Sequence, residues 1–131
     1  MSKAVKILSF ILSMVCLAVI VYFSLFKEAV LTGTDKNGHF LAYFAQGFLF
    51  FLCFSNLSLK GFFLKNLLPF FCAVFLSFIF GYAIELIQPS FGRVFEAMDL
   101  AADALGSFGG ALLGFICVLI VRKIEISKAE D

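Results

Sequence analysis

Residues 82–106 read YAIELIQPSFGRVFEAMDLAADALG, and within them Glu85, Gln88, Arg93, Glu96, Asp99 and Asp103 crowd between two long apolar runs. The stretch closes one apolar segment at Pro89 and Gly92 and opens the next near Met98 or Asp99. These polar side chains contrast with a chain whose long flanking segments are nearly all hydrocarbon and aromatic.

Outward from this stretch the composition fixes the solvent. The 131 residues are 63% hydrophobic and 15% charged, with twenty phenylalanines and a mean hydropathy of +1.08. A chain so short on polar groups cannot cover its apolar surface in water, so it belongs in a bilayer. A net charge of +1 provides neither a basic stripe nor an acidic tail, and nucleic acid is not indicated as a partner.

The apolar runs predict an all-α, polytopic membrane protein: a single domain over residues 1–131, built as a bundle of four transmembrane helices at about 5–26, 37–55, 67–88 and 99–121. The first run, about 22 residues or about 33 Å of helix, exceeds a signal-peptide core. No small-x-small cleavage site follows it, and Val15 before Cys16 argues against lipoprotein processing. Thr32 to Asp35 read as a turn, with Thr34 or Asp35 able to cap the second helix. Residues 56–66 read as a connection, Pro69 as a first-turn proline of the third span, and the segment from Arg122 as a polar, fraying tail.

Lys3, Lys6, Lys60, Lys65, Arg122, Lys123 and Lys128 lie on one side of such a bundle, and Lys27, Lys36 and Arg93 on the other. Seven against three places both termini in the cytoplasm. His39, Glu85, Gln88, Asp99 and Asp103 then share the outer side. Helical spacing groups them further. His39, Tyr43 and Gln46 share one face, as do Glu85 with Gln88 and Asp99 with Asp103. Ionisable groups a turn inside the apolar boundary are expensive unless partnered. The expectation is that Arg93 bridges Asp99 or Glu85 and that His39 bonds a carboxyl.

Ala102, Gly106, Gly110 and Gly114 recur every four residues, a small-residue ridge for close helix packing that Gly109 widens. Gly47 and Gly81 are candidate facing notches. Other readings are plainer. Tyr22, Tyr43 and Tyr82 suit interface aromatics, Glu96 a solvated acid, and Gln46 a cross-helix hydrogen bond. Phe48, Phe50, Phe51 and Phe54 suit lipid-facing or packing groups. Cys16, Cys53, Cys72 and Cys117 are scattered in separate spans as small hydrophobes, without a zinc pattern, so the sequence implies no metal and no cofactor.

The ordered set Asp35-Lys36-x-x-His39-Phe40-x-x-Tyr43-Phe44, Glu85-x-x-Gln88, Phe91-Gly92-Arg93 and Asp99-Leu100-x-x-Asp103-x-x-Gly106-x-x-Gly109 resembles the VanZ-like family of small bacterial membrane proteins. The family is named for a teicoplanin resistance protein, and the likeness covers residues 35 to 114. The chain departs from the family's usual Pro-Gly-Arg at Phe91-Gly92-Arg93, and it has Asp103 where Asn is common. The resemblance implies a multi-pass protein of the bacterial cytoplasmic (inner) membrane that acts at the cell envelope, in some members lowering susceptibility to teicoplanin-type glycopeptides.

Three functional readings follow. In the first, Lys36, His39, Tyr43, Glu85, Gln88, Arg93, Asp99 and Asp103 bind a lipid headgroup, a lipid-linked cell-wall precursor or an envelope protein, with the cations able to hold a phosphate. In the second, the chain is an intramembrane enzyme. His39, Glu85, Asp99 and Asp103 are then its catalytic candidates, by acid-base chemistry or through a divalent metal on one imidazole and several carboxylates. A lone histidine, with no His-Glu-x-x-His helix and no activated serine, argues against any defined hydrolase. In the third, the polar residues only lock the bundle. Membrane lipids are partners in all three, and a homo-oligomer is compatible with each.

Overall fold

The computed structural model describes residues 3–26, 35–56 and 61–130. Helix α1 is Lys3–Leu25, α2 Asp35–Phe54, α3 Phe62–Ile87 and α4 Ala97–Glu130, with a short 3-10 turn, Gln88–Phe91, between the last two. Each of the four helices contains a stretch long and apolar enough to cross a membrane, and no strand occurs among the described residues. The expected turn at Thr32 to Asp35 falls largely outside the described residues, as do Lys27 and Lys60.

The burial pattern is that of a protein whose solvent is lipid. Leu64 and Leu68 are 80% and 70% exposed, and Phe63, Phe71 and Phe75 also face outward, while Ser13, Ser77 and Ser107 are fully buried. In hydrocarbon, apolar side chains gain nothing by turning inward, whereas hydroxyls and amides need the partners that only the interior offers. The chain is thus built as a multi-pass membrane protein.

The helices alternate in direction, so α2 and α4 run parallel. They are nevertheless the most intimate pair, with α1 resting on α2 and α3 lying across both α2 and α4. Glycine explains this. A methyl group added to Gly106 would meet the main chain at Phe40 and Phe44, one on Gly110 would meet the Phe44 carbonyl, and one on Gly47 would meet the Ser107 carbonyl. Gly114 lies against the Phe51 ring, where an added methyl would stand 2.8 Å from Cδ1, and Ala102 is half-buried. The small-residue ridge therefore seats the backbone of α2, where close approach maximises dispersion contacts.

Far from residues 82–106 the interior is aromatic. Phe51, Phe62, Phe70, Ala73, Ala111 and Val118 form one core, with Phe115 against Phe51 and Phe62 at centroid distances of 5.8 and 5.6 Å. Nearer that stretch, Ile20, Tyr43 and Ile84 form a smaller core.

Two boundaries differ from the sequence reading. Helix α3 starts at Phe62, after Gly61 at φ 68, so Pro69 lies inside the helix and not in its first turn. The cause is Asn66, whose amide nitrogen donates to the Asn56 and Phe62 carbonyls at 2.7 and 3.0 Å and whose oxygen accepts the Asn56 N–H at 2.7 Å. This clamp draws residues 62–66 into the helix. Helix α4, in turn, does not fray at Arg122 but continues to Glu130. The Arg122 guanidinium stacks 5.0 Å from the Phe62 ring centroid, and strong helix formers (Lys123, Glu125, Lys128) follow.

Candidate functional site

The stop after α3 sets the geometry. Gly92, at φ 76, adopts the left-handed conformation that glycine tolerates, and the Gly92 and Arg93 amides donate to the Pro89 and Gln88 carbonyls at 3.2 and 3.1 Å. The chain reverses there and brings the start of α4 beside the end of α3. Because α2 begins at the same end of the bundle, three helices deliver their polar faces to one place.

His39 is the centre of that place. Its Nδ1 lies 2.9 Å from Asp103 Oδ1, and its Nε2 lies 3.7 Å from Asp99 Oδ2. An ionised carboxylate only accepts, so with Asp103 charged it is Nδ1 that carries the proton and donates. The imidazole stacks over Tyr43 with an interplanar angle of 13° and a centroid distance of 6.5 Å. One donor atom from each of His39, Glu85 and Asp99 lies within 4.8 Å of the others, and all three residues are buried. The expected bond from His39 to a carboxyl is present.

Glu85, fully buried, accepts the Glu96 main-chain N–H at 3.2 Å. The Gln88 amide, turned so that its nitrogen faces the carboxylate, donates to both Glu85 oxygens at 3.2 and 3.3 Å. Gly81, one turn earlier, leaves room for the site's floor: a methyl group there would lie 2.7 Å from Asp103 Oδ2 and 3.1 Å from the Tyr43 ring.

Arg93, expected to bridge Asp99 or Glu85, donates from Nη1 to the Phe23 carbonyl at 3.3 Å and ties the turn to α1, where the Phe26 and Phe91 rings also meet at 5.5 Å. Lys36 is exposed and lies outside the buried cluster. Tyr43 is buried and not an interface aromatic, whereas Tyr22 and Tyr82 are exposed. The Glu96 side chain is exposed, and its contribution to the site is its backbone.

The polar interior continues below the cluster through Gln46, which the sequence reading expected, and through serines that it passed over. Gln46 makes its cross-helix bond, donating to Ser13 Oγ at 2.6 Å, while Ser107 Oγ donates to the Asp103 carbonyl at 2.7 Å. Ser9, Ser13 and Ser24 are the buried polar groups of α1. The first two, four residues apart in an otherwise apolar span, were a legible sign that α1 also turns a polar face inward. Cys16, at 3.9 Å from the Ala42 carbonyl, extends the same face.

The assembled site is a buried cluster of three carboxylates around one imidazole, with Gln88 and Tyr43 beside them. Such a set can exchange protons or coordinate a cation. No family model, curated protein or solved structure matches this chain.

Proposed function

We propose that the chain is a VanZ-like membrane factor of the bacterial cell envelope. Its buried polar site, opening to the outer side of the cytoplasmic membrane, binds a lipid headgroup or lipid-linked cell-wall precursor. By occupying that ligand it changes how a teicoplanin-type glycopeptide meets its target. The observation that carries this reading is the convergence of His39, Glu85, Asp99 and Asp103 from three helices into one buried cluster. Ionisable groups held at membrane depth by mutual contacts are the usual mark of a working site. The excess of Lys and Arg on the opposite side supports the outward orientation.

Both His39 nitrogens face carboxylates, so the floor is acidic and unsuited to direct contact with a phosphate. A phosphate-bearing ligand therefore places its anion at the rim, where Arg93 and Lys36 stand. The test is glycopeptide susceptibility of a sensitive bacterium expressing the wild-type chain, Glu85→Gln or Arg93→Ala. The expected result is a shift with the wild type that both variants abolish while remaining in the membrane at wild-type levels. A shift that persists in both variants contradicts the reading; loss of both proteins from the membrane favours a purely architectural cluster.

The His39–Asp103 pair favours one alternative, an intramembrane enzyme in which Asp103 orients the imidazole as an acid-base group. It requires that purified protein turn over a lipid-linked envelope substrate and that Asp99→Asn stop the turnover. Unchanged lipid profiles in cells with and without the chain count against it.

A further inference from the structure

We propose that His39, Glu85 and Asp99 form a binding site for a first-row divalent cation, with Zn2+ or Mn2+ as the best-fitting ions. This rests on the reading of the cluster as a site and not as a strap, and it names what the acidic floor holds. Three observations lead to it.

The first is the donor set. One imidazole and two carboxylates, supplied by three different helices, place their donor atoms within 4.8 Å of one another in buried positions. The 3.7 Å from His39 Nε2 to Asp99 Oδ2 is too long for a hydrogen bond. At about 2.0–2.2 Å per bond, two donors on one tetrahedral ion stand about 3.3–3.6 Å apart, so the His39 and Asp99 atoms need only a slight closing to share it, and the wider members of the set a larger one. A mixed nitrogen and oxygen set suits Zn2+ or Mn2+ better than Cu(I), which prefers sulfur, or Mg2+, which prefers oxygen alone.

The second is the support behind the histidine. Nδ1 donates to Asp103 Oδ1, which fixes the tautomer and turns the Nε2 lone pair toward Asp99. A carboxylate behind a metal-ligating imidazole plays this role in many metal sites, orienting the ring and raising its basicity.

The third is independent of the donor geometry. Asp103 Oδ2 and Tyr43 Oη are buried and make no hydrogen bond among the described residues, in side chains only 1% exposed. Asp103 bonds His39 and Tyr43 stacks on it, so both atoms border the cluster. Buried polar atoms are rarely left so. Water carried on a bound cation is a group of the right size and chemistry to meet them. Three carboxylates around one imidazole also concentrate negative charge in a buried place, which a divalent ion would offset. The same ion would offer positive charge to a ligand phosphate that the bare carboxylates repel.

The experiment uses full-length protein purified in detergent, stripped with a chelator, dialysed and titrated with Co2+ as an optical probe, then with Zn2+, Mn2+ and Mg2+. The expected result is one Co2+ per chain, in a tetrahedral or five-coordinate spectrum, displaced by Zn2+. His39→Ala abolishes binding, Glu85→Gln and Asp99→Asn each weaken it at least about tenfold, and Asp103→Asn weakens it about 10- to 100-fold. Glu96→Gln, an exposed carboxylate beside the site, binds as the wild type does. Monodisperse wild-type protein that takes up no stoichiometric Co2+ or Zn2+ overturns the proposal, whatever the variants do, and assigns charge neutralisation to protons. Undiminished binding in folded His39→Ala overturns it equally. Metal binding without any change in cell susceptibility leaves this inference standing and removes the functional reading; a susceptibility shift from a chain that binds no metal does the reverse.

Discussion

The His39 Nδ1–H donates to Asp103 Oδ1 across 2.9 Å, joining the second turn of α2 to the second turn of α4 inside the bundle. The two residues lie 64 positions apart, and their bond caps the helix pair that the glycine ridge brings together. Removing the acceptor leaves a buried imidazole N–H without its partner. Asp103→Ala is therefore expected to lower stability by about 1–3 kcal/mol. Asp103→Asn, which keeps an accepting oxygen, should lose less than half as much. Thermal unfolding in detergent, followed by circular dichroism, measures the difference; equal losses would show that volume and not the hydrogen bond matters.

The ridge makes a graded prediction. A methyl group at Gly110 runs into the Phe44 carbonyl, which is backbone and cannot step aside, whereas one at Gly109 meets only the Phe44 ring edge at 3.3 Å. Gly110→Ala should destabilise by about 1–3 kcal/mol through forced separation of α2 and α4, and Gly109→Ala by less than about 1 kcal/mol. The same unfolding assay ranks them.

Gly81→Ala probes the site without replacing any of its ionisable groups. The added methyl would press on Asp103 Oδ2 and the Tyr43 ring. Under the proposed function it should abolish the susceptibility shift while the protein stays in the membrane. Full activity in this variant would mean that the position of Asp103 is unimportant.

The Asn66 clamp can be read by hydrogen exchange. Asn66→Ala strips the Asn56 N–H and carbonyl of their partners. Amides of residues 62–66 should then exchange at least about tenfold faster, with those of α4 unchanged. Uniform acceleration across the chain would point to global loosening instead.

Much of this architecture was legible in the sequence because membrane proteins obey few rules and obey them strictly. Apolar runs gave the four helices to within a few residues at most ends, and Gly106, Gly110 and Gly114 announced a close contact through their spacing alone. His39, Glu85, Asp99 and Asp103 were visible because a charge in an apolar segment has to be accounted for. What stayed hidden depended on partners distant in sequence. Asn66 looked like a loop residue until Asn56 was beside it, and Arg122 looked like the start of a tail until Phe62 lay beneath it. The bond from the Arg93 guanidinium to the Phe23 carbonyl on α1 is likewise one that no periodicity encodes.

An outward-facing site requires one topology above all: the start of α2 and the turn between α3 and α4 must share the outer face of the membrane. Lys36 and Val94 are exposed at these two places, and Lys123 is exposed toward the far end of α4. Each can be replaced by cysteine in a chain whose four native cysteines are changed to alanine, then treated in intact cells with a membrane-impermeant maleimide. The expected result is labelling of Lys36→Cys and Val94→Cys in intact cells and of Lys123→Cys only after lysis. Labelling of Lys36→Cys and Val94→Cys from opposite sides would contradict it.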